Sequence, residues 1–160
     1  MILRAWVAPL LCAATLVAAT GGPFDIELLN TPKAPAAQGR ATLVFASSPF
    51  GVAVTADGRA RYDVRIEASG LPDPATLGAY SSYVAWEVNT DLTEWHHLGA
   101  VGNGMHVVGE AALNKFLIVV TAERDSATHT HSGPTVLHGP SPSAWLQSFL
   151  SHPLFRGLPP

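Results

Sequence analysis

The chain has 160 residues, a formal net charge of −3 and only 13 % charged side chains, enough for one domain with its own hydrophobic core. The weak acidity, without clustered Lys or Arg, excludes nucleic acid and anionic membrane surfaces as electrostatic partners. The only cysteine is Cys12, so no intrachain disulfide can form.

The first residues read as a secretory signal peptide over 1–19. Arg4 supplies the n-region charge, residues 6–19 carry none, and Val17 and Ala19 place small residues at the −3 and −1 positions of a cleavage site. The apolar run is short of the ~20 residues needed to span a bilayer, so no stable membrane span is expected after cleavage. Cys12 follows Pro9-Leu10-Leu11, without the small residues that precede a lipid-modified cysteine. Periplasmic or extracellular placement is the expectation.

Residues 20–40 are expected to hold a leading strand and a linker. Phe24, Ile26 and Leu28 alternate with Asp25 and Glu27, a one-sided strand signal. Pro32, Ala34, Pro35, Ala36, Ala37, Gln38 and Gly39 then suit a flexible connection. The main β domain is expected over 41–143. Its first runs are 41–46, with Leu43 and Phe45 on one face, and 51–55, with Val52 and Val54. Asp57-Gly58 suits a tight turn. Residues 61–68 alternate cleanly, with Tyr62, Val64, Ile66 and Ala68 on one face, and predict a half-buried hairpin over 50–68.

Pro72, Asp73, Pro74 and Gly78 mark a long loop. A strand follows over 82–89, with Val84, Trp86 and Val88 expected inward and Trp86 as the core aromatic. Residues 95–101 and 106–110 flank Gly102-Asn103-Gly104, a second hairpin turn. The continuous apolar run over 115–122 predicts a central strand, and 135–138 a last short one. Ser143 can cap a short helix over 144–150, with Trp145, Leu146 and Phe149 against the sheet. With the Pro-rich tail it makes up 144–160. The pattern predicts an all-β fold: an antiparallel immunoglobulin-like β-sandwich of seven to eight strands with a short C-terminal helix.

Tyr83-Val84-Ala85-Trp86, Leu98-Gly99, Asn114-Lys115-Phe116, Thr121-Ala122-Glu123, Ser132-Gly133-Pro134 and Leu137-His138-Gly139 together resemble the extracytoplasmic β-sandwich domain of anti-sigma-K-type factors. With Ser48-Pro49-Phe50-Gly51-Val52 and Gly139, Ser141, Pro142 and Ser143, they also resemble an N-terminal accessory segment of bacterial multicopper oxidases. The likeness covers roughly 41–143. It implies a fold, an extracytoplasmic place and an association with copper-handling proteins. Sigma binding is not expected, because that activity belongs to a helical domain preceding a membrane helix. Oxidase chemistry is not expected either: the chain has a single His-x-His and no Cys-His copper site.

Seven histidines are the unusual feature. His129 and His131 are spaced i, i+2, so on an extended segment both imidazoles face one side. With His138 beyond the next strand they form the candidate metal site, and His96-His97 can add a ligand across the sheet. Cu(II) or Zn(II) suits such donors; a solvated polar loop over 125–132 is the competing reading. Asp91, Glu94 and His97 lie around a turn without a nearby nucleophile, and no Gly-x-Ser-x-Gly, P-loop or His-Glu-x-x-His occurs, so no catalytic residue is assigned. Trp86, Tyr83 and Phe116 are expected in the core rather than in a ligand groove. Trp145 and Phe149 are expected over a sheet edge. The function these residues predict is a non-enzymatic binding or accessory module with an unidentified protein partner in the cell envelope. A periplasmic copper-binding protein is the alternative.

Overall fold

The computed structural model describes residues 24–49 and 51–143. The signal peptide over 1–19 and the helix over 144–150 lie outside them, as do Trp145, Phe149 and His152.

Ten strands follow in order: β1 (Asp25–Asn30), β2 (Gln38–Phe45), β3 (Ser47–Ser48), β4 (Gly51–Val52), β5 (Tyr62–Ser69), β6 (Ser82–Asn89), β7 (Trp95–Val101), β8 (Gly104–Ala111), β9 (Phe116–Glu123) and β10 (Thr135–Pro140). Eight form one antiparallel sheet in the order β7-β6-β9-β10-β1-β2-β5-β8, and β3-β4 is a separate small ribbon. β1 belongs to both halves. Asp25 to Leu28 pair with β2, while Leu29 and Asn30 pair with β10. The sheet bends at this strand into two half-sheets, and curls until its edges β7 and β8 meet, so the fold is nearly a barrel. No ladder joins those edges. Glycine lets them pack instead: a Cβ on Gly109 would stand 2.8 Å from the Leu98 carbonyl oxygen.

The segment expected as linker packs into the main core, and only its end enters the sheet. β2 starts at Gln38, and residues 31–37 form a compact turn whose Ala34 and Ala37 are buried. Asn30 Nδ2 donates to the carbonyls of Pro35 (3.0 Å) and Ala37 (3.1 Å), holding that turn closed. The expected hairpin over 50–68 also changes. β5 pairs along its whole length with β2, from Gln38↔Ser69 to Phe45↔Tyr62, and with β8 on its other side. The intervening residues fold back as β3-β4 and one bridge, Val54↔Ala60, around the Asp57-Gly58 turn. The inward face of β5 is as the alternation predicts: Val64, Ile66 and Ala68 are buried.

Gly102-Asn103 is not a β-hairpin turn either. β7 pairs with β6 and β8 with β5, so the turn carries the chain from one half-sheet to the other. Asn103 secures it by imitating a ladder: its Nδ2 donates to Leu71 O (3.0 Å) and its Oδ1 accepts from Leu71 N (2.9 Å).

The main core lies between the half-sheets and includes Ile26, Leu43, Ile66, Phe116, Ile118 and Leu137. β9 is central, between β6 and β10, as its continuous apolar run predicts. The register of β6 is the reverse of the expected one. Tyr83 and Ala85 belong to the main core, whereas Val84, Trp86 and Val88 form a second cluster with Val119 on the outer face. Trp86 is fully buried nonetheless, because a second layer covers it. Among the described residues no helix is long and apolar enough to cross a membrane.

Candidate functional site

The second layer is the 124–134 connection between β9 and β10, folded back over the outer face of β6 and β7. Glu123, 1 % exposed at the end of β9, fastens it. Its Oε1 accepts from the Thr121 hydroxyl (2.7 Å), Ser132 N (3.0 Å) and Gly133 N (3.2 Å). Its Oε2 accepts from the Ser132 hydroxyl at 2.8 Å. Burial raises the carboxyl's pKa, but these donors outweigh it and hold the group below its ordinary value. Thr121 continues the chain inward, accepting the Trp86 indole N–H at 2.8 Å. At Gly133 the returning backbone crosses so close to β9 that a Cβ would stand 1.6 Å from Ala122 O; only glycine fits there.

Outward-facing β7 residues meet this loop in matching steps. His131 lies flat on Trp95, with ring centroids 3.6 Å apart at 15°. Two positions along each segment, His129 sits against His97, with centroids 5.7 Å apart at 63°. Trp86 lies beneath, edge-on to His97 at 5.5 Å and to His131 at 6.3 Å. The platform is pinned at both ends. Trp95 Nε1 donates to Leu92 O (3.0 Å), and His97 Nε2 is 2.9 Å from Ser126 O. His129 is exposed, while Trp95, His97 and His131 are partly buried.

His138 is on the same outer face but not in the cluster. It pairs with Val119 on β9, and Val119 pairs with Trp86 on β6, which pairs with His97 on β7. At about 4.8 Å per strand this puts the backbones of His138 and His97 about 14 Å apart. Among the described residues no three His, Cys, Asp or Glu side chains are placed to hold one metal ion. His129, His131 and His138 therefore do not come together as the sequence expectation placed them.

The turn groups also separate. Asp91 Oδ1 accepts from the Thr93 hydroxyl at 2.8 Å, and Glu94 faces His96 at 4.0 Å, while His97 bonds Ser126 instead. His106 is on β8, opposite Ile66 of β5. Tyr83 and Phe116 are core residues, with Tyr83 Oη donating to Pro72 O at 3.0 Å. Sequence reasoning missed Trp95 and the anchor Glu123. The outward alternation of Trp95 with His97, and a lone acid ending an apolar strand, were the available signals.

A second buried acid, Glu87, belongs to the inner face of β6. Its Oε1 accepts from Ala112 N (2.9 Å) and Leu113 N (2.8 Å), tying the β8–β9 connection to β6. Burial raises its pKa, and the two N–H donors only partly offset that.

No family model, curated protein or solved structure matches the chain.

Proposed function

We propose that the chain is an exported, non-enzymatic binding or accessory module of the cell envelope. In this reading the two half-sheets are the layers of an immunoglobulin-like β-sandwich. The outer face of β6 and β7, with the 124–134 loop, is the surface offered to a protein partner. The uncharged run over 6–19 supports export. The resemblance to an accessory segment of multicopper oxidases supports a partner among copper-handling proteins.

The observation that carries the reading is the stack of His131 on Trp95, held by the Glu123 anchor. A buried carboxylate with four donors is a large investment for a surface loop. What it fixes is a partly exposed indole–imidazole platform. Aromatic side chains held rigidly lose little entropy on binding and dominate interface energetics.

Two measurements test it. N-terminal sequencing of exported protein is expected to start near Thr20; a start at Met1 overturns export. Photo-crosslinkers placed at His129, and as a control at Arg65 on the opposite half-sheet, are expected to capture a partner only from the first position. That capture is expected to vanish in Trp95→Ala with the fold intact. Equal capture from Arg65 excludes this face.

A further inference from the structure

We propose a divalent-metal site at His97 and His129, suited to Cu(II), rather than at the i, i+2 pair His129 and His131. Metal binding there needs no protein partner and so stands apart from the docking role of the same face.

The tautomer of His97 is the first reason. Its Nε2 lies 2.9 Å from the Ser126 carbonyl oxygen, which can only accept. In the neutral ring Nε2 therefore carries the proton and Nδ1 the lone pair. A backbone carbonyl that takes one ring N–H and turns the other nitrogen toward a metal is the usual outer support of a ligating histidine. Spacing is the second reason. A metal–nitrogen bond of about 2.0 Å, plus roughly 1.2 Å from nitrogen to ring centre, puts two ligand rings about 4.5 Å apart at a right angle and about 6.4 Å apart in line. His97 and His129 stand at 5.7 Å. Access is the third, since His129 is exposed and leaves the remaining coordination positions to water. His131 is drawn off along the loop, its ring resting on Trp95. With no third protein donor in reach among the described residues, two imidazoles and solvent make a site of modest affinity. Cu(II) heads the affinity order for such nitrogen donors.

Calorimetric titration of Cu(II) into the exported chain, with electron paramagnetic resonance to count bound nitrogens, tests this. His97→Gln keeps an N–H for Ser126 but loses the ring lone pair. His131→Phe keeps the stack on Trp95 but loses both nitrogens. Wild type is expected to bind one Cu(II) with a two-imidazole spectrum. His97→Gln and His129→Ala are each expected to weaken binding about tenfold or more and to lose that spectrum. His131→Phe and His138→Ala are expected to bind as wild type. Absence of a two-imidazole spectrum in wild type overturns the site. So does its persistence in His97→Gln, or its loss in His131→Phe.

Discussion

Trp86 on β6 reaches diagonally to Thr121 on β9, with the indole N–H 2.8 Å from the hydroxyl oxygen, and that hydroxyl donates onward to Glu123. The bond joins the outer apolar cluster to the anchor of the 124–134 loop. Trp86→Ala removes a fully buried indole from between the sheet and its covering layer and is expected to cost about 3–5 kcal/mol. Trp86→Phe keeps most of the packing but takes the indole donor from the Thr121 hydroxyl, which still donates to Glu123, and is expected to cost less. Urea denaturation of the two variants measures both; an alanine variant as stable as wild type refutes the covering layer.

Glu123→Gln is expected to destabilise by about 2 kcal/mol, the scale of hydrogen bonds to a charged acceptor. The effect is also pH-dependent. The folded carboxyl's pKa is held below its unfolded value, so its stabilisation is full above the unfolded pKa and fades as pH falls through the lower folded one. The gap between wild type and Glu123→Gln in melting temperature is expected to narrow on acidification below about pH 4.

Glu87 behaves in the opposite sense. Burial raises its folded pKa, so its contribution is complete below the unfolded pKa and is lost as pH rises through the folded one. Glu87→Gln keeps an oxygen for Ala112 N and Leu113 N without the buried charge. It is expected to melt at or above wild type at neutral pH, with the advantage shrinking toward acid. A variant that melts well below wild type at neutral pH contradicts this.

Two glycines separate steric from conformational cost. Gly133→Ala drives a methyl into the Ala122 carbonyl and is expected to prevent loop closure, giving the largest loss of any alanine substitution at the described glycines. Gly58 has φ +82 but nothing within 4 Å of a new Cβ, so Gly58→Ala is expected to cost only about 1–2 kcal/mol, the left-handed penalty. Parallel thermal melts decide it. Comparable losses would mean that the loop does not cross β9 closely.

Much of the sheet was legible from alternation. The inward set on β5 and the central place of β9 follow directly from Val64, Ile66 and the run from Phe116 to Val120. β6 was not legible in its facing. With both faces covered, Tyr83 and Ala85 are as buried as Val84 and Trp86, and a period of two then carries no direction. The hairpins over 50–68 and at Gly102-Asn103 misled because turn residues announce a reversal without saying which strand receives the chain. The histidines were visible, but their partners were not. The i, i+2 spacing of His129 and His131 said nothing of the β7 pair they meet, Trp95 and His97, whose own spacing sends each imidazole to a different neighbour.

The hydroxyl of Thr31 reaches the Thr135 carbonyl across 104 positions of sequence, beside the short ladder that ties β1 to β10. Nearly the whole described chain must be present before that junction forms, and contacts of such long range close slowly. A chain cut short before β10 would leave Leu29, Asn30 and the far side of β9 as raw strand margins, open to pairing with other chains. The first strand thus acts as a clasp that only the last strand can fasten, and an incomplete copy is marked by its sticky, unfastened rim.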